Sequence, residues 1–130
     1  AVAREIALML GQVRRRSFEI KIDGLAAFGG RKPRAIVASV ASSQALLELQ
    51  AEHERLMQRL GLLPEGRKYT PHITLARLRE SSSQQVATYL AERGSYRTPL
   101  FDVSGFVLFS ARASVGGGPY LVEASYPLAA

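Results

Sequence analysis

Apolar residues recur along this chain with two periods, and the changes between them mark its elements. Over residues 3–13, Ile6, Leu8, Met9, Leu10 and Val13 give a helical pattern. Phe18, Ile20 and Ile22 then alternate with Glu19, Lys21 and Asp23, which predicts a half-buried strand. Gly29-Gly30-Arg31-Lys32-Pro33 ends it as a loop, and residues 35–40 form a short apolar strand. Ser42 or Ser43 can cap the next helix, which runs to about residue 60 and stops at Gly61. Its core stripe is Leu46, Leu49, Leu56, Met57 and Leu60, and His53 falls on it. No other motif residue accompanies His53, so it reads as a partly buried structural histidine. Residues 62–70 form a loop rich in Gly, Pro and charge.

Residues 72–78 predict another strand, with Ile73 and Leu75 pointing into a core and His72 and Thr74 sharing the opposite face. A short helix over 81–93 follows, with serines at its start and Gly94 at its end. Strands over 101–109 and 119–127 close the chain, joined across Val115-Gly116-Gly117-Gly118. That glycine run stands too far from a helix start to cradle a phosphate, and a hairpin turn explains it. The order αββαβαββ, with a tight hairpin, predicts an α+β fold.

The length of 130 residues fits a single domain with one good core. No apolar run approaches the ~18 residues of a membrane span, and no signal-peptide pattern opens the chain. The absence of cysteine excludes disulfides and thiolate metal sites. A cytoplasmic, membrane-free monomer is the expectation.

Charge changes the picture more. Seventeen Lys and Arg against eleven Asp and Glu give a net +6. The positive charges cluster as Arg14-Arg15-Arg16, Arg31-Lys32-Pro33-Arg34, Arg67-Lys68, and Arg77 with Arg79. Such clusters serve either as a solvated face or as a contact for a polyanion, and three of the four lie at predicted loops or element ends. A nucleic acid fits that balance better than an acidic protein does.

The most informative stretch is Tyr69-Thr70-Pro71-His72-Ile73-Thr74-Leu75-Ala76-Arg77. A titratable ring beside a hydroxyl, both fixed on one strand face, suits phosphate binding and proton transfer. The plainer alternative is a half-buried strand that happens to carry a histidine. Arg77 is a phosphate candidate, yet strict alternation sets it opposite His72 unless the strand twists or ends near Ala76. Tyr69, Arg31 and Arg34 are further candidates for contacting a nucleotide from loop positions. No zinc spacing, Gly-rich nucleotide fingerprint or Ser-His-Asp string is present, so no metal or cofactor is expected.

Pro71 to Arg77 resembles the second H-x-T-x motif of the 2H phosphoesterases, specifically the RNA 2′,3′-cyclic phosphodiesterases, also called 2′-5′ RNA ligases. Residues 18–28 look like that family's central strand and following loop. Residues 34–40 look like its next strand, with small and aliphatic residues where a Trp is common. Residues 101–110 and 120–128 look like its closing hairpin. The resemblance implies a bilobal fold of antiparallel sheets flanked by helices, and hydrolysis of an RNA 2′,3′-cyclic phosphate without metal. His72 would take an acid/base role, with proton acceptor favoured, and Thr74 would bind the phosphate.

One departure matters. The family carries two H-x-[ST] motifs, one per lobe, whereas this chain has only His53 and His72, and Glu54-Arg55 follows His53. The expectation is therefore an incomplete N-terminal lobe, a chain inactive by itself, and a first motif lying upstream of Ala1. The competing readings are a non-catalytic basic RNA-binding module and a purely structural lobe.

Overall fold

The computed structural model describes residues 2–110 and 120–130. Its elements are α1 (Val2–Leu10), β1 (Phe18–Ile20), β2 (Ile22–Phe28), β3 (Ala35–Val40), α2 (Gln44–Arg59), β4 (His72–Arg77), α3 (Ser83–Arg93), β5 (Phe101–Val103), β6 (Gly105–Ser110) and β7 (Leu121–Pro127). Three helices and antiparallel ladders make the fold α+β, as the hydrophobic pattern predicts.

The chain divides into two compact units. The first draws on segments Ala1–Phe18, Gln44–Arg67 and Asp102–Ala130, the second on Glu19–Ser43 and Lys68–Phe101. In the first unit, α1 and α2 pack together and β6 pairs with β7 antiparallel. Val13, Leu49 and Leu56 form its buried centre, with Met9, Phe18, Met57 and Phe106 packed around them. Met9, Val13, Leu49, Leu56 and Met57 are inward positions of the two predicted helical stripes, so their burial follows the period of 3.6, and Phe18 and Phe106 join them from strands β1 and β6. Tyr126 donates its hydroxyl to the Ala7 carbonyl at 2.9 Å, tying β7 to α1. The glycine turn predicted between the last two strands lies outside the described residues.

The second unit is built on a three-stranded antiparallel sheet in the order β2-β3-β4, with α3 packed against β2. Ser82 caps α3 and forms a reciprocal capping box with Gln85. β3 is the central strand, so its first four residues are buried on both faces, and Val37 is only 1% exposed. The turn from β2 to β3 depends on Gly29 at φ +112, where an added Cβ would lie 2.4 Å from the Lys32 carbonyl oxygen.

Two expectations are corrected. The strand that opens at Phe18 is split: β1 ends at Ile20, and a separate β2 runs from Ile22 to Phe28 and pairs with β3. Ile73 and Leu75 are not in a core: they are 45% and 53% exposed. α3 packs on β2, at the other side of the sheet from β4, and β4 is exposed at all six positions.

Candidate active site

The site grows out of register. Residues directly opposite one another in an antiparallel pair share a face. Ser39 pairs with His72, Val37 with Thr74, and Ala35 with Arg77. Ser39, Val37 and Ala35 are alternate residues of one strand, so His72, Thr74 and Arg77 all lie on one face. Strict alternation along β4 would have put Arg77 on the other. A β-bulge between Ile36 and Val37 of β3 leaves Leu75 without an opposite number, and the extra residue resets the alternation.

Phe28 joins the same face from β2, because it pairs with Ala35. Its ring meets the His72 imidazole edge to face, with centroids 4.7 Å apart and planes at 74°. No motif marks Phe28, so pattern reading passes over it; only the pairing of β2 with β3 reveals it.

His72 itself is exposed, and its Nδ1 lies 2.6 Å from the Thr70 carbonyl oxygen. A carbonyl can only accept, so the neutral ring carries its proton on Nδ1 and leaves the Nε2 lone pair free. A free Nε2 on an open face is the form a general base requires. Thr74 is exposed two residues on, and Arg77 is exposed on the same face at the far end of β4, one offering a hydroxyl donor and the other a planar fork of N–H groups that matches phosphate oxygens.

The remaining candidates are placed less centrally. Tyr69 precedes β4 and is 38% exposed; desolvation holds its phenol above the ordinary range, so the hydroxyl is a protonated donor at neutral pH. Arg31 lies exposed in the turn between β2 and β3. Arg34 is exposed just before β3, where its carbonyl accepts from the Leu78 N–H at 2.8 Å. Alternation from Ala35 sets Arg34 on the face away from His72. Among the described residues no three His, Cys, Asp or Glu side chains gather as metal ligands, and no helix is long and apolar enough to cross a membrane.

His53 is half-buried on α2, its ring 4.5 Å from that of Phe106. Its Nε2 is buried and has no hydrogen-bond partner among the described residues. Desolvation holds its pKa below the ordinary value, against the attraction of Glu52 and with the repulsion of Arg15. Arg15 in turn bonds Glu52 at 2.5 Å and Glu48 at 3.3 Å. This is a structural histidine, in line with its position on the helical stripe.

Known proteins resemble the chain on both levels. The sequence model of LigT-like phosphoesterases matches residues 37–120, which include the last four residues of β3 and all of β4. An RNA 2′,3′-cyclic phosphodiesterase of Aeropyrum pernix is 31% identical over 110 residues, covering 82% of this chain and 62% of the relative. The chain thus spans less than two thirds of that protein's length. The crystal structure of E. coli LigT with 3′-AMP superposes with a TM-score of 0.67 at 19% identity, over 98% of this chain and 68% of that one. The apo form of E. coli LigT gives 0.69 at 18% identity, over 99% and 69%. At these identities the structures speak to the fold.

Proposed function

The chain belongs to the LigT-like phosphoesterase family, and from that membership we propose that the full-length protein hydrolyses RNA 2′,3′-cyclic phosphate to a 2′-phosphomonoester. The observation that carries the proposal is the shared, open face of His72, Thr74 and Arg77. His72 Nε2 takes a proton from water as the water oxygen bonds to phosphorus, and the P–O3′ bond breaks in line. Return of a proton to O3′ calls for a second acid, the role that the resemblance gives to the imidazole of the family's first H-x-T-x motif. Thr74 and Arg77 donate to the non-bridging oxygens, where negative charge builds, and Tyr69 offers a further hydroxyl near the nucleotide. A 5′-hydroxyl in place of water would give a 2′-5′ phosphodiester by the same displacement, which is ligation. The name of the Aeropyrum relative and the 3′-AMP bound to E. coli LigT support a ribonucleotide substrate.

The test compares full-length protein with its variants on a nucleoside 2′,3′-cyclic phosphate. Wild type should give the 2′-phosphate at a rate indifferent to chelator, and His72→Ala should abolish turnover. Thr74→Ala should cost about 10²–10³, the range for one donor to a developing oxyanion. Full activity in His72→Ala would end the proposal and leave the basic RNA-binding module as the surviving reading.

A further inference from the structure

The net charge of the chain is divided unequally between the two units. Segments of the first unit carry eight Lys and Arg against seven Asp and Glu, whereas those of the second carry nine against four. Five of the nine gather at one end of the β2-β3-β4 sheet. Arg31, Lys32 and Arg34 belong to the turn that follows Phe28. Arg77 closes β4 opposite Ala35, and Arg79 stands two residues beyond it.

All five are exposed, and none forms an ion pair among the described residues. By contrast, Arg97 bonds Asp23 at 2.8 Å, and Arg15 holds two glutamates. Exposed, unpaired like charges crowded at a strand end repel one another, a cost that a bound polyanion would relieve. The turn is also fixed in shape, since Gly29 at φ +112 admits no side chain and the Arg34 N–H bonds the Phe28 carbonyl at 2.8 Å.

We propose that this basic sheet end is a binding site for the sugar-phosphate backbone of single-stranded RNA, so that the preferred substrate is an oligonucleotide rather than a mononucleotide. The proposal rests on the phosphodiesterase reading above and extends it along the strand. His72 opens β4, and the turn lies at the other end of the same sheet. By register Lys32 and Arg79 stand at the end of the sheet away from His72, where they offer contacts to further phosphates of the same chain. Arg77 lies on the His72 face at the basic end and links the two.

The test is direct binding by the full-length protein of a ten-nucleotide RNA ending in an ordinary 3′-hydroxyl, followed by fluorescence anisotropy. It needs no turnover, so it can fail or succeed independently of the catalytic reading. Wild-type affinity should fall steeply with salt. Lys32→Ala with Arg79→Ala should flatten the log–log slope by about 1.4, since each single-strand phosphate contact contributes about 0.7. At about 0.05 M salt that corresponds to roughly 10- to 100-fold weaker binding. Arg55→Ala with Arg59→Ala, on α2, removes the same charge elsewhere and should leave the slope unchanged. An equal effect of both double variants would show that net charge alone acts, and would overturn the site. An unaltered slope in Lys32→Ala with Arg79→Ala would overturn it equally.

Discussion

Arg77 occupies the same sheet face as His72, although an odd number of positions separates them along β4. The bulge at Leu75 is the reason: one residue of β4 has no opposite number on β3, and every residue beyond it changes face. A guanidinium, an imidazole and a hydroxyl are thereby gathered from six consecutive residues of a single strand.

That geometry yields a prediction about Arg77. Arg77→Ala in the full-length protein should lower kcat/KM on a cyclic phosphate by about 10²–10³ if the guanidinium meets developing charge. Arg77→Lys should recover only part of the loss, because an ammonium cannot make the paired, planar contact. Deleting Leu75 is the more searching change. It removes the extra residue but leaves Arg77 opposite Ala35, so turnover should persist and remain sensitive to Arg77→Ala. Loss of that sensitivity in the deletion variant would show that Arg77 does not keep its place opposite Ala35 in a regular strand, and the register account of its orientation would fail.

Phe28 is expected to act on His72 rather than on substrate. Edge-to-face aromatic contacts contribute about 0.5–1.5 kcal/mol beyond burial, so Phe28→Leu should cost about two- to tenfold. The loss should fall on kcat, with KM held, because the imidazole loses its fixed orientation while the phosphate donors stay in place. Phe28→Tyr should restore most of the rate. Equal changes in kcat and KM, or no rescue by tyrosine, would contradict the positioning role.

How much of this was legible depended on whether a feature is local. The strand over 35–40 is a continuous apolar run, and a central strand buried on both faces must read that way. The stop of α2 was equally plain, since Gly61 takes φ +92. Residues 25–28 were harder: Leu-Ala-Ala-Phe after a glycine has little strand character, and pairing with β3 decides it. Leu75 fits a regular strand in sequence, and only register makes it the bulged residue. The exposure of Ile73 depends on what covers the sheet, with α3 packed on β2 rather than β4, and alternation alone does not reveal that. His72 and Thr74 share a face because they are two residues apart; the company of Phe28 and Arg77 is tertiary.

His53 supplies the last prediction, a pH dependence of stability. Its folded pKa lies below the ordinary value, chiefly because burial desolvates the charged ring, and its buried Nε2 has no hydrogen-bond acceptor among the described residues. Above about pH 6.5 the ring is neutral in both folded and unfolded chains and contributes no slope. As pH falls through that value the unfolded chain takes up a proton that the folded chain resists, so stability declines. The decline ends once pH passes below the folded pKa. Glu52 favours the charged ring and Arg15 opposes it, each less strongly than burial does. His53→Phe, which keeps a ring against Phe106, should remove this part of the slope while leaving the thermal midpoint at about pH 8 within a few degrees. Thermal melts of the full-length protein and this variant, taken across pH 5 to 8, provide the measurement. Parallel curves for the two proteins over that range would mean that His53 is not the group whose protonation the fold resists.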